Sequence, residues 1–411
     1  MLMPAEMTLA LDDITVLDLS HALAGPFAST LLGDYGANII KIEPLDGEIA
    51  RAWGPPFYER ADGDGSRSIE TAYFVNLNRN KRSVTLDLKQ PEGREIFFRL
   101  LDGADVVLEN LRVGSVAKLG IDYARASARQ PRIIYCSVSG FGQDGPYRDR
   151  AALDLVVQAE SGMISITGEP GGHGVRCGVS IADITAGMYA AFGIMTALHA
   201  RQRTGTGQFI DVSMLEGQLG ILSGMIGAFV ADHVVPGPLG TAYGALLPYQ
   251  TFQTKSRDIA IGVGSEKLWR TFCPLLGLPD VAVDSRFATN AARNANRPAL
   301  IALLQESFLT KSYEEWEAIL QPAGIPMGAI NTIDAVVTHP QVAARDAIVE
   351  CTHPIAGTVK TVAPPVRLSA TPGSIRRPAP LLGEHTEEVL RERLGMGAAD
   401  FDRLRSTKVI S

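Results

Sequence analysis

With 411 residues, 46% of them hydrophobic and 20% charged, the chain is long enough to bury more than one core, and two domains are expected. A net charge of -7 at pH 7 and a pI near 5.6 argue against nucleic acid as a main partner, while leaving room for a local basic patch that holds phosphates. Cys136, Cys177, Cys273 and Cys351 stand far apart, with no CxxC pair and no histidine at ligand spacing, so neither a metal site nor a disulfide framework is indicated and a reducing, cytoplasmic setting fits.

In chain order, Met1 to Asp13 lacks the basic start and apolar core of a signal peptide. Ile14 to Leu19 predicts a strand, Pro26 to Gly33 a helix with proline in its first turn, and Ala37 to Ile42 a second strand, which makes a βαβ unit. Glu59 to Arg67 is polar and glycine-rich and reads as a mobile loop. Ser83 to Leu88 is strand-like, Pro91 to Leu101 helical with Gly103 beyond it, and Ala104 to Glu109 and Arg132 to Val138 are further strands. Such alternation predicts an α/β fold with a doubly wound, mainly parallel sheet. After a strand over Gln208 to Met214, the helical stretch Leu215 to Ala231 leads to Pro236-Gly237-Pro238-Leu239-Gly240, a boundary signal. Ile259 to Val263, Glu266 to Leu276, Arg297 to Leu309 and Tyr313 to Leu320 then form a smaller α+β unit, followed by a β-rich stretch over Ile348 to Pro365. The most membrane-like run, Gly220 to Ala231, is too short to span a bilayer, and a soluble protein is expected.

One carboxylate stands out. Asp183, in Val179-Ser180-Ile181-Ala182-Asp183-Ile184-Thr185, opens an apolar helix that runs through Ala200, where a charge needs a reason. By itself the spacing supports a cap: Ser180 followed three residues later by an acid resembles a capping box, and an acid in a first turn gains from the helix dipole. The surroundings point elsewhere. Asp154-Leu155-Val156-Val157-Gln158-Ala159-Glu160-Ser161-Gly162 and Thr167-Gly168-Glu169-Pro170 precede it, and Arg203-Thr204-Gly205-Thr206-Gly207-Gln208-Phe209 follows. Further markers are Asp18-Leu19-Ser20-His21-Ala22-Leu23-Ala24-Gly25-Pro26, Gly36-Ala37-Asn38-Ile39-Ile40-Lys41-Ile42-Glu43-Pro44, Asn78-Arg79-Asn80-Lys81-Arg82-Ser83, Leu86-Asp87-Leu88-Lys89, Glu109-Asn110, Gly324-Ile325-Pro326 and Leu381-Leu382-Gly383-Glu384-His385-Thr386. In this order, over nearly the whole chain, the series resembles the class III CoA-transferases, the family of formyl-CoA:oxalate and carnitine CoA-transferases.

The resemblance implies a Rossmann-like large domain of residues 1–220 and 331–411, a small domain of residues 221–330, and two chains interlocked as a homodimer, with each active site between the large domain of one and the small domain of the other. It implies Asp183 as the nucleophile, acyl-CoA and a small carboxylic acid as substrates, and no tightly bound cofactor. Carried over motif by motif, His21, Ala22 and Ala24 would line the CoA channel; Leu86, Lys89, Asn110, Arg112 and Lys118 would hold adenine, ribose or phosphates. Leu23, Asp154 and Tyr243 would face the substrate. Without the resemblance, the basic residues Arg79, Lys81, Arg82 and Lys89 equally suit a solvated face, His21 a packed core position and Asp154 a cap of its own helix. No GxGxxG after the first strand, no GxxxxGK[ST] and no GxSxG occurs, so nothing supports a dinucleotide, ATP or a serine hydrolase.

Two departures bear on function. Racemases of the family place a histidine before the acid matched by Asp154; here Leu153 stands there, so a two-base proton transfer lacks one base and CoA transfer is favoured. Leu23 stands where the oxalate branch has glutamine, and Gly240-Thr241-Ala242-Tyr243-Gly244 with Leu247-Pro248-Tyr249-Gln250 looks more like the succinyl-CoA:glutarate branch, which implies a dicarboxylate, with Arg148 or Arg176 as candidate partners of its distal carboxylate. The alternatives are racemisation or intramolecular CoA migration in the same family, or an acyl-CoA-binding protein in which Asp183 only caps.

Overall fold

The computed structural model describes residues 8–61 and 67–411. Its contacts separate two compact units, one of Met1–Met163, Cys177–Asp232 and Gln341–Ser411, the other of Ile164–Arg176 and His233–Pro340.

The first unit is organised by a wholly parallel sheet of six strands: β1 (Thr15–Asp18), β2 (Asn38–Glu43), β3 (Lys81–Thr85), β4 (Val106–Glu109), β5 (Ile134–Ser139) and β6 (Phe209–Ser213). They lie in the order β3-β2-β1-β4-β5-β6, the order of a doubly wound nucleotide-binding sheet. Both faces are covered, which is why β1, β4 and β5 are buried at every position and read as continuous apolar runs rather than alternating ones. On one face Val16, Val106, Leu108 and Ile134 pack against α1 (Ala24–Asp34) and the long helix that carries Asp183. On the other, Leu17, Val107 and Tyr135 pack against α2 (Pro91–Leu101) and against Val389, Leu390 and Leu404, so the C-terminal segment completes the second core. Successive residues of one strand thus serve opposite cores.

The remaining helices of the first unit that bear on function are α3 (Asp154–Glu160), α4 (Ile181–Thr204), α5 (Met214–Ile221) and α6 (Ser223–Asp232). Four expectations change here. The single helix expected over Leu215 to Ala231 is broken, with α5 and α6 bent by 66°. Among the described residues α4 has the length and apolarity to cross a membrane, and α5 with α6, which hold Gly220 to Ala231, pass only together as a bent pair; half of the most apolar window of α4 is buried inside the fold, as in a core helix. The loop expected over Glu59 to Arg67 is partly a ribbon, Phe57–Ala61 pairing antiparallel with Arg67–Thr71, and residues 62–66 lie outside the described residues. β3 ends at Thr85 instead of Leu88, which leaves Leu86 to Lys89 free to turn over the carboxyl end of the sheet.

The second unit has its own core. An antiparallel sheet of Tyr249–Phe252, Ile259–Gly262 and Met327–Ala329 packs against helices Glu266–Leu275, Arg297–Phe308 and Tyr313–Leu320 through Phe252, Trp269, Phe272, Phe308 and Trp316. The Thr167-Gly168-Glu169-Pro170 segment belongs to it: Gly240 N donates to Gly168 O at 2.8 Å, and Gly168 sits at φ +140°, where a Cβ would be 2.8 Å from His173 O.

Candidate active site

Strand order reverses between β1 and β4, so the loops leaving their carboxyl ends diverge and open a crevice. The two loops are tied by a reciprocal pair: His21 N donates to Asn110 Oδ1 at 2.7 Å and Asn110 Nδ2 donates to His21 O at 2.8 Å. Ala22 turns the chain at φ +62°, an uncommon conformation for a residue with a Cβ, and its N–H donates to the buried Glu48 carboxylate at 3.1 Å. Beneath the loop, Asp18 accepts from Ser20 and Ser29 and meets Lys81 at 3.4 Å, while Lys41 donates to Ser20 O at 2.8 Å. Burial alone would raise the Asp18 carboxyl, but the Lys81 and Lys41 charges outweigh it and hold its pKa at about 2; burial pushes Lys81 down to about 8. His21 is held below the usual imidazole value by burial and by Lys41.

A cavity of about 340 Å³ lies on the carboxyl ends of β1 to β4. Its walls include Leu19, His21, Pro44, Leu86, Lys89 and Leu111, so three of the residues expected to hold CoA come together here. Asn110 adjoins it through His21, and Ala22 and Ala24 continue the same loop into the buried start of α1. Arg112 and Lys118 are exposed outside the lining, with Arg112 Nη2 donating to Asp149 O at 3.0 Å. The wider basic cluster is mostly committed to the fold. Arg79 forks onto Asp34 at 2.9 and 2.7 Å, Lys81 meets Asp18, and Arg82 pairs with Glu388 and Glu392, leaving Lys89 as the cation of that group beside the cavity.

The first turn of α4 settles the capping question. Ser180 makes no side-chain cap; the N–H of Ala182 is instead bonded by Asp154 Oδ1 at 2.8 Å, from the neighbouring α3. Asp154 Oδ2 accepts from Gln158 Nε2 at 2.6 Å, and Gln158 Oε1 accepts from Cys177 N at 2.9 Å. Asp154 is therefore a cap, but of α4 rather than of its own helix. The Asp183 carboxylate has no hydrogen bond among the described residues, and burial followed by the Asp154 charge raises its pKa to about 7. Gly187, one turn on, sets how closely the helix of this carboxylate packs: a Cβ there would be 2.5 Å from Ala24 O, so α4 lies directly on the start of α1.

The sequence did not single out Tyr73, which lies within the field of this carboxylate pair, or Trp53 beside it. Tyr73 is pushed above the usual phenol value by burial and by the charges of Asp183, Glu48 and Asp154. Its ring meets Trp53 edge-on at 5.4 Å, and both line a cavity of about 460 Å³ with Gly54, Pro55 and Pro56. A tryptophan ahead of Gly-Pro-Pro is a legible sign of a fixed turn that displays a ring. Leu23 is buried at the head of α1, and Leu153, 71% exposed, leaves no imidazole beside Asp154. Tyr243 belongs to the second unit, exposed and edge-on to Tyr249 at 5.8 Å. Arg148 is exposed beside Asp149, and Arg176 is exposed in the second unit.

A raised carboxylate with no hydrogen bond among the described residues, on a helix packed against α1, together with a switch-point crevice, suits attack on an acyl group carried by a nucleotide-like ligand. The family model for CoA-transferase family III matches residues 11–386. The chain is similar to the succinyl-CoA:glutarate CoA-transferase of Homo sapiens, 37% identical over 97% of this chain and 90% of that one. It is also similar to the succinate--glutarate CoA-transferase of Agrobacterium fabrum, 39% identical over 93% and 95% of the two chains. A crystal structure of a CAIB/BAIF family protein from Brucella suis superposes with a TM-score of 0.82 at 38% identity, over 94% of this chain and 99% of that one. On sequence, site and fold together, the chain belongs to CoA-transferase family III.

Proposed function

We propose that the protein moves CoA from an acyl-CoA donor to a small dicarboxylic acid, with Asp183 as the covalent nucleophile. The observation that carries the reading is the unbonded Asp183 carboxylate, whose capping role Asp154 has taken over. In the proposed cycle an Asp183 oxygen attacks the thioester carbonyl, the C–S bond breaks, and CoA leaves as thiolate from a mixed anhydride. The thiolate then attacks the Asp183 carbonyl carbon, releasing the first acid and leaving an aspartyl-CoA thioester. An acceptor carboxylate repeats both steps in reverse, so the acyl activation is conserved and no ATP is consumed.

His21, Ala22, Ala24, Leu86, Lys89 and Asn110 are assigned to CoA on the strength of the crevice they form or adjoin; Arg112 and Lys118 would reach its phosphates from the rim. Trp53 and Tyr73 would flank the acyl group, and Leu23 and Tyr243 its specificity. A dicarboxylate is favoured by the relatives named for glutarate and for D-citramalate. A division into a large and a small domain is proposed alongside, supported by separate cores, with residues 164–176 and 331–340 moved to the small domain and 221–232 to the large one relative to the expected 1–220 with 331–411 and 221–330; a homodimer is supported by the uncovered apolar face of α4, Met188, Tyr189, Phe192 and Met195.

The test is to incubate the protein with succinyl-CoA and hydroxylamine and map modified peptides by mass spectrometry. A hydroxamate on Asp183, absent from Asp183→Ala, is expected. Turnover of succinyl-CoA and glutarate with an unmodified Asp183 would refute the covalent route, and no turnover with any dicarboxylate would refute the substrate class.

A further inference from the structure

The amino ends of β1, β2 and β3 lie at the edge of the sheet opposite the CoA crevice, and four arginines meet there. Arg82, Arg376, Arg377 and Arg393 line a cavity of about 330 Å³, together with Asn38, Asn80 and the acids Asp12, Glu388 and Glu392. Four permanent cations thus face three carboxylates. Arg82 is buried, its side chain 8% exposed; it pairs with Glu388 at 2.9 Å and Glu392 at 2.6 Å and donates to Asn38 Oδ1, and its Nε is buried without a partner among the described residues. Arg376 donates to the carbonyls of Gly33 and Gly36 and has no carboxylate within ion-pair distance among the described residues. Arg377, half exposed, reaches Glu388 only at 3.8 Å, and Asp12 Oδ2 is turned to the N–H of Leu9. Arg393 pairs with Glu392 at 3.2 Å. Burial and the neighbouring Arg377 charge hold Arg376 below the usual guanidinium value, against the opposing charges of Asp34 and Asp12.

The backbone is shaped to keep this arrangement. Asn80 Oδ1 accepts from both Arg376 N, at 2.7 Å, and Arg377 N, at 3.1 Å, which fixes two adjacent arginines at the rim. The same chain runs on to Gly383, whose N–H donates to Ser83 on β3. Two adjacent arginines whose backbone is held by Asn80, with Arg82 and Arg393 in the same cavity wall, are the elements of an oxyanion site, since a guanidinium presents paired donors to phosphate or carboxylate.

We propose that this cavity binds a compact dianion, inorganic phosphate or a small dicarboxylate, which clamps the C-terminal segment onto the amino edge of the sheet. Binding here is independent of the CoA crevice, at the other end of the same strands.

The experiment follows thermal unfolding of the full-length protein, saturated with CoA so that its phosphate-binding residues are occupied, while phosphate or succinate replaces chloride at constant ionic strength. A saturable rise in Tm of roughly 2 °C at ten times Kd is expected for at least one of the two, and the tighter binder identifies the source. Arg377→Ala, at an exposed position that leaves the core intact, should weaken the apparent Kd by about tenfold, and Arg393→Ala should repeat the loss if either variant folds poorly. No saturable rise, or an unchanged Kd in Arg377→Ala, would overturn the proposal.

Discussion

Asp183 and Asp154 are two carboxylates in one neighbourhood with different work. Asp154 is satisfied by Ala182 N and Gln158 Nε2, whereas Asp183 is left unbonded with its pKa raised to about 7. As a nucleophile Asp183 must be ionised, so kcat/KM should rise with pH up to about 7 and then level; a profile flat from pH 5 to 8 would count against it. Asp154→Asn keeps an oxygen for Ala182 N and removes the charge, so this limb should move to lower pH in steady-state assays. Stability follows the opposite sense. The unfolded carboxyl has a pKa of about 3.9, so the folded state binds more protons between there and about 7, and stability falls as pH rises through that window. Asp183→Asn should therefore lose transfer activity by at least about a thousandfold while gaining stability over wild type progressively from pH 4 to 7, as read by urea melts.

At the scale of elements, the site depends on how closely α4 approaches α1. Gly187 permits it, at the usual helix cost of about 0.5–1 kcal/mol relative to alanine, because any Cβ would meet the Ala24 carbonyl. Gly187→Ala should cost about 1–3 kcal/mol through overpacking and lower kcat by shifting Asp183, whereas the exposed Gly224→Ala should not destabilise. Asp18 holds the His21 loop from below against two buried lysines. Asp18→Asn leaves Lys41 and Lys81 without that charge and should destabilise by about 3–5 kcal/mol in denaturant titrations.

For the whole molecule, the apolarity of α4 serves two surfaces. Ala182, Ala186, Ala190 and Ile194 enter the sheet-facing core, while Met188, Tyr189, Phe192 and Met195 face outward, Phe192 being 70% exposed. The dimer proposed for this family member would cover them. Phe192→Glu should then shift the protein from dimer to monomer in light scattering after size exclusion, and a wild type that is monomeric at micromolar concentration would remove that reading.

The sequence by itself determined the alternation of strand and helix, with Pro91–Leu101 and Tyr313–Leu320 bounded as expected, because apolar period, proline and caps act within a few residues. Asp183, His21, Leu86, Lys89 and Asn110 are named through the family resemblance, which rests on motifs in order along nearly the whole chain. Only the tertiary structure decided that Asp154 caps α4, that Arg79, Lys81 and Arg82 are bound to acids rather than open to phosphate, and that Tyr73 lies within the field of Asp183. These are facts about pairs distant in the chain: a side chain's charge is written in the sequence, but whether that charge is free depends on what folding places beside it.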